Sequence, residues 1–387
     1  MVDYVKELND RIDDYNDSML KHLSVLVNMD SGSNYKKSVD ALVDVLESWW
    51  REAGFSIKRI PFNEVGDCLL VTTEGDALPN SVTVLGHADT VYEDGTSERV
   101  PFRVEGKRAF GPGVADMKGG LVTSYFAAKA LSEAGLLPMG LSFFINSHEE
   151  IGSRCVRSMI EELASRSSLV INMEPGRKDN AVVTGRKGVA WIHLRARGKA
   201  AHAGNNPEAG ANAVVELAHM AIEINNINGI KEGLTANVDI FHGGMAVNVI
   251  PEEAFAEVDV RYLKEDDIKA LDSYIKAMPG HFILGATHEF SAELLFPPME
   301  RTPKVLEAYE LVRIVASMLQ ADVQEAFSGG GSDAGFAARM GVPVICGMGP
   351  VGGNFHNTQE EYIELATLTE RCKLLAHVIL KASEVYK

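Results

Sequence analysis

Within residues 37–54 the run S-V-D-A-L-V-D-V-L-E-S-W-W-R-E-A places apolar side chains three and four apart, which predicts an amphipathic helix. Short unbroken apolar runs predict buried strands at S-V-T-V-L-G (81–86), L-S-F-F-I-N (141–146) and L-V-I-N-M (169–173), with a helix at L-V-T-S-Y-F-A-A-K-A-L (121–131). Alternating helix and strand of this kind is the mark of an α/β sheet with crossover helices. After about residue 184 the pattern changes. V-A-W-I-H-L-R-A-R (189–197) and A-F-A-E-V-D-V-R-Y (254–262) alternate apolar and polar, as half-exposed antiparallel strands do. Helix-like segments over about 207–226 and 265–277 lie among them. The first pattern then returns with V-P-V-I-C (342–346) and a closing helix near 364–386. The predicted fold class is α/β: a mixed sheet flanked by helices, residues 1–184 and 297–387, with a smaller α+β domain, residues 185–296, inserted.

Composition narrows the function classes. A chain of 387 residues suggests two domains. A hydrophobic fraction of 46% and a charged fraction of 24% are ordinary for a soluble globular protein. A formal charge of −17, spread along the chain, argues against a nucleic-acid partner. The N-terminal M-V-D-Y-V-K-E-L-N-D-R-I-D-D has no apolar core of a signal peptide, and no window approaches a membrane span. Cys68, Cys155, Cys346 and Cys372 are far apart with no C-x-x-C spacing, and are expected to be reduced thiols of a cytoplasmic protein. None has a local setting that would stabilise a nucleophilic thiolate.

Four strand-to-loop junctions in the α/β part end in residues able to bind metal: G-H-A-D-T (86–90), G-P-G-V-A-D-M-K-G-G (111–120), H-E-E (148–150) and N-M-E-P-G (172–176). A fifth lies downstream in G-G-N-F-H-N-T (352–358). In an open α/β sheet the carboxyl ends of the strands form the ligand crevice, so these segments are expected to converge there. Taken singly, each has an ordinary reading. A histidine after a strand is usually a hydrogen-bonded structural residue, and adjacent glutamates are usually solvated. The glycine-rich loop lacks the spacing of a phosphate cradle.

Jointly and in this order, the motifs resemble the co-catalytic zinc peptidase family of glutamate carboxypeptidase, aminoacylase, acetylornithine deacetylase and succinyl-diaminopimelate desuccinylase. The resemblance runs from about residue 20 to 385 and is strongest to the glutamate carboxypeptidase branch, through P-F-R-V-E-G (101–106), K-A-A-H-A-G (199–204) and S-G-G-G-S-D-A (328–334). It implies a zinc-peptidase-like catalytic domain with an inserted dimerisation or lid domain. It implies two zinc ions, with cobalt or manganese as alternatives, bridged by Asp116; Glu150 and His356 complete one ion, His87 and Glu174 the other. Glu149 is then the general base towards a metal-bridging hydroxide, and Asp89 holds the His87 ring in its tautomer. A cis peptide between Asp116 and Met117 is implied as well. In the inserted domain, His202 resembles the histidine that reaches the active site from a partner subunit and stabilises the oxyanion, which implies a homodimer. Asn248 and Arg261 resemble substrate-binding positions, and Gly330 and Gly331 lie in a loop whose N–H groups would meet the same carboxylate. The implied substrate is a small peptide or an N-acyl amino acid. The implied activity is that of a carboxypeptidase, with an N-acyl amino-acid deacylase or a dipeptidase as alternatives and a non-catalytic amino-acid or metal binder as the rival from another class.

Two departures bear on this. Glutamate-releasing members carry a basic residue in the turn that here reads E-L-L-F-P-P-M-E (293–300), with Leu295 and Phe296 near that position. A buried carboxylate side chain would be unpaired there, which argues against glutamate as the preferred leaving residue unless Arg186 or Lys187 compensates. The resemblance gives His148 no ligand role, although it adjoins the two glutamates. His22, His193, His219 and His377 carry no role either, and His242 is a candidate loop contact.

Overall fold

Six strands make the main sheet, in the order Ser56–Ile60, Cys68–Thr72, Leu141–Asn146, Ser81–His87, Ser167–Asn172, Val344–Ile345. The structure, a computed structural model, describes residues 2–73, 81–138 and 140–386. Met1, residues 74–80, Met139 and Lys387, all within the expected catalytic part, lie outside the described residues. The last four strands of the order pair in parallel and the first two antiparallel, so the sheet is mixed. The three central parallel strands are almost wholly buried, which is why they read as continuous apolar runs. Helix Lys36–Glu52 buries Val39, Leu42, Val43, Leu46 and Trp50, one stripe of a 3.6-residue repeat. Helix Gly119–Glu133 is buried along nearly its whole length and packs against the closing helix Leu365–Val385.

A sheet of four antiparallel strands in the inserted part runs Thr235–Gly243, Glu253–Tyr262, Gly188–Arg197, Thr287–Phe296. Ala190, Ile192, Leu194 and Ala196 point into a core shared with helices Ala213–Asn225 and Glu265–Lys276. The alternate positions Trp191, His193, Arg195 and Arg197 face away from that core, and Arg195 pairs across strands with Glu253 at 3.1 Å. The expected helix over 207–226 begins later, at Ala213, because residues 207–209 form a separate 3₁₀ turn. Asn212 then caps the helix, its side chain accepting from Val215 N at 3.1 Å. His242 lies in the strand Thr235–Gly243 rather than in a loop.

These sheets belong to two compact units. One comprises Met1–Gly185, Arg301–Ser328 and Ser332–Lys387; the other comprises Arg186–Glu300 and Gly329–Gly331. No described helix is long and apolar enough to cross a membrane.

Candidate metal centre

The parallel register sets the centre. His87 pairs opposite Asn146, and Leu85 opposite Asn172, so three adjacent strands end at the same edge. His87 closes one strand, Glu149 and Glu150 follow Asn146, and Glu174 follows Asn172. Asp116 comes from the turn before helix Gly119–Glu133, and its peptide to Met117 is cis. His356 comes from the loop after Gly352–Gly353, with a left-handed backbone at φ 62.

Asp116 lies between the two imidazoles: Oδ1 is 3.2 Å from His87 Nε2, and Oδ2 is 3.6 Å from His356 Nε2. His356 Nε2 is also 3.5 Å from Glu150, and His87 Nε2 is 3.6 Å from Glu174. Donor atoms of His87, Asp116 and Glu150 fall within 4.8 Å of one another, as do those of His87, Glu149 and Glu174. The carboxylate meant as the base therefore shares a cluster with two of the presumed ligands. Glu150 Oε1 is buried without a hydrogen-bond partner.

Electrostatics mark the same place. Burial drives the Glu149 carboxyl well above the usual range, with Glu174, Asp333 and Glu150 adding to it against His87. Burial and then Asp116 do the same to Glu150. Burial alone would lower the pKa of His87, but its bonds to Asp116, Asp89 and Glu174 outweigh that and hold it well above normal. Asp116 is held far below normal by His356 and His87 in spite of its burial. Half-exposed His356 is raised to about 9, chiefly by its bond to Asp116. Buried carboxylates that favour protonation, an orphaned buried oxygen and an all-nitrogen-and-oxygen donor set fit divalent cations of the zinc type.

Asp89 is fully buried, and its carboxylate accepts from Ser33 Oγ at 2.7 Å and from the backbone amides of Glu149 and Glu150 at 3.1 Å each. The His87 ring meets Asp89 mainly through its backbone carbonyl, 3.0 Å from Nδ1, with the carboxylate at 3.6 Å. His148 is buried beneath, edge-on to Phe62 and 3.5 Å from Cys68 Sγ, and burial lowers its pKa. Asp333, which lies in the S-G-G-G-S-D-A motif but has no role of its own in the resemblance, forms a further buried network with Ser153 and Asn146: it accepts from Ser153 Oγ at 2.5 Å and from Asn146 Nδ2 at 2.8 Å.

The remaining candidates, His202, Asn248, Arg261, Gly330 and Gly331, lie in the second unit. His202 is exposed, and its Nδ1 accepts from the amides of Gly204 and Asn205 at 3.1 Å each, which puts the ring proton on Nε2. Asn248 sits beside it, its carbonyl accepting from Ala203 N at 3.0 Å. Arg261 turns its fork onto Asp259, two residues back on the same strand, at 2.7 and 2.9 Å. The loop of Gly330 and Gly331 presents its carbonyls to Arg186, which is buried and donates to Gly331 O at 2.8 Å. Leu295 and Phe296 are both buried.

Residues 83–381 match the model of peptidase family M20/M25/M40. The chain belongs to that family. It is a peptidase-type hydrolase of a metal-dependent kind. Carboxypeptidase G2 of Pseudomonas sp. (strain RS-16) is 31% identical over 375 residues, covering 94% of this chain and 89% of the relative. A Staphylococcus aureus tripeptidase shares the peptidase fold at a TM-score of 0.78 and 21% identity, over 95% of this chain and 99% of its own. A Bacillus subtilis dinuclear metal-binding peptidase of the same family aligns at 0.69 and 15% identity, over 96% and 99%.

Proposed function

We propose that this chain is a metallocarboxypeptidase that holds two divalent ions and cleaves the amide bond next to a free C-terminal carboxylate. The observation that carries this reading is Asp116, set between His87 and His356 with one carboxylate oxygen towards each. In this reading Asp116 would be shared between the two ions, Glu150 and His356 would help hold one, and His87 and Glu174 the other. When bound, the ions, zinc with cobalt or manganese as alternatives, supply acidification of a water towards a pKa of about 7 and polarisation of the scissile carbonyl. Glu149 takes the proton of the attacking water on a carboxylate oxygen and returns it to the leaving nitrogen. Asp89 fixes the backbone of both glutamates, so that Glu150 remains a ligand while Glu149 keeps its lone pairs for the proton.

The second unit acts as lid and dimerisation domain. His202, its Nε2 proton free to donate, stabilises the oxyanion of the partner subunit's site. Asn248, Arg261 and the amides of Gly330 and Gly331 take the substrate carboxylate, which must compete with Asp259 for the Arg261 fork. Support for the dimer comes from the edge strand Thr235–Gly243, which exposes Ile240 and Phe241, and from exposed Val215, Ile222, Met245 and Val247 around it. With Leu295 and Phe296 buried and Arg186 engaged on loop carbonyls, an apolar or neutral leaving residue suits the site better than glutamate.

Metal analysis coupled to a screen of N-blocked dipeptides and N-acyl amino acids tests the reading. Release of a C-terminal amino acid from blocked dipeptides by a chain holding two ions is the expected result. Rapid deacetylation of N-acetyl amino acids with blocked dipeptides untouched would make the chain a deacylase instead.

A further inference from the structure

One fully buried carboxylate has no place in the mechanism above. Glu361 lies downstream of His356 in H-N-T-Q-E-E and is 0% exposed. Its Oε1 accepts from the amides of Ala115 at 2.9 Å and Asp116 at 3.0 Å. Its Oε2 accepts from Gly113 N at 3.1 Å and from the Tyr92 hydroxyl at 2.6 Å. These amides belong to one tight turn, in which Gly113 is left-handed at φ 72 and Asp116 leaves helical geometry at φ −115, ψ 91. Within the turn Val114 N reaches Gly111 O and Lys118 N reaches Gly113 O, but the amides of Gly113, Ala115 and Asp116 converge on one point and form an anion-binding nest. Glu361 fills the nest from within the chain. It is fixed there by the adjoining strand Tyr362–Glu364, which pairs with Arg108–Phe110, and by Gly111 N on its own carbonyl at 3.3 Å.

We propose that Glu361 is a positioning residue for the metal pair: it clamps Asp116 through that residue's own amide, so that one carboxylate oxygen faces His87 and the other His356. The inference rests on the dinuclear reading. Glu361 has the same charge sign as the ligands around it, so in electrostatic terms it is an unfavourable choice for this place. Its hydrogen-bonding capacity is what a neutral residue lacks. A glutamine could turn its oxygen to Ala115 and Asp116, and the Tyr92 hydroxyl could rotate to accept from its NH₂ group, but the Gly113 N–H would then face a donor.

The experiment compares wild-type, Glu361→Gln and Tyr92→Phe chains loaded with Zn²⁺ or Co²⁺. It measures metal affinity by chelator competition, the visible absorption of the cobalt form, and thermal unfolding of the metal-free chains. Glu361→Gln is expected to weaken retention of the ions by about 10–100-fold and to alter the cobalt spectrum. Tyr92→Phe, which removes one of the four bonds, is expected to give a smaller loss in the same direction. Should Glu361→Gln fail to fold, Tyr92→Phe decides, and a wild-type affinity in it overturns the proposal. A lower metal-free unfolding temperature with affinity and spectrum unchanged would make Glu361 merely structural. A wild-type chain that bound no metal would overturn the dinuclear reading together with this one, whereas equal affinities in wild type and Glu361→Gln overturn this one alone.

Discussion

Glu149 and Glu150 are identical neighbours in different surroundings. Like charges on neighbouring buried side chains repel, and the low dielectric of the interior strengthens that repulsion. What makes the pair tenable is the fixed backbone beneath it: Asp89 accepts from both amides, and the turn closes through Gly152 N on Glu149 O and Ser153 N on His148 O, each at 2.8 Å. Held this way, Glu150 faces His356, while Glu149 joins His87 and Glu174. Replacing Glu149 by Gln should lower turnover at least about 100-fold, in the range of general acid–base catalysis, with metal content unchanged by elemental analysis. Loss of one ion from that variant would show Glu149 to be a ligand. Arg261 offers a second test. Arg261→Ala is expected to raise KM for a free-carboxylate substrate tenfold or more, by the loss of a charge-assisted bidentate contact of about 1.5–3 kcal/mol, with a smaller change in kcat. An equal fall in kcat with KM unmoved would count against substrate binding by this residue.

At the scale of elements, the centre depends on how closely a helix approaches a strand end. A Cβ on Gly120 would lie 2.2 Å from the carbonyl oxygen of Met173 and 2.9 Å from Met117 Cε. Met173 precedes Glu174 and Met117 follows Asp116, so Gly120→Ala forces apart the segments that carry two of the presumed ligands. The expected cost is about 1–3 kcal/mol or more in urea unfolding, accompanied by weaker metal retention. Destabilisation with full metal retention would mean that the strain is absorbed elsewhere. A different pair of elements contributes a pH-dependent share of stability. His377 on helix Leu365–Val385 is buried and holds Asn9 on helix Val2–Asp14 at 2.9 Å. Burial, with a small push from Lys373, lowers its pKa from 6.5 to about 4. A depressed folded-state pKa contributes stability that is complete above about 6.5 and is lost as pH falls towards 4. The loss amounts to roughly 2 kcal/mol between about pH 7 and about pH 5. Urea midpoints across that range should fall less in His377→Gln than in wild type; equal slopes would remove His377 as the cause.

At the scale of the whole molecule, the proposal divides the work between two units, with the presumed ligands in one and His202 in the other. If His202 acts on the partner subunit, chains carrying Glu149→Gln and chains carrying His202→Ala, each inactive alone, should complement when mixed and reassociated. Random pairing makes half the dimers mixed, each with one intact composite site, so activity should recover to roughly a quarter of wild type. No recovery, with mixed dimers verified by tagged pull-down, would place His202 in its own subunit's chemistry.

Much of this was legible in the chain itself. Buried central strands leave continuous apolar runs, and half-exposed ones leave alternation, so Leu141–Asn146 and Gly188–Arg197 fall where the pattern puts them. Helices Val2–Asp14 and Pro303–Met318 and the edge strand Ser56–Ile60 went unread, the last because its exposed, charged positions carry no clear period. Of the six residues singled out in the first unit, His87, Glu149, Glu150 and Glu174 come together because parallel strands in register deliver their carboxyl ends to one edge, while Asp116 and His356 reach the same place from a turn and a loop. Tertiary structure alone decided what supports them. Asp89 spends its carboxylate on the glutamate amides, Arg261 turns onto Asp259, Arg186 faces loop carbonyls, and Glu361 reaches back across the chain to the Asp116 turn. The physical reason is that hydrophobic periodicity is a local property of the chain, written every two or every 3.6 residues, whereas a buried polar group takes whichever partner the fold brings within about 3 Å.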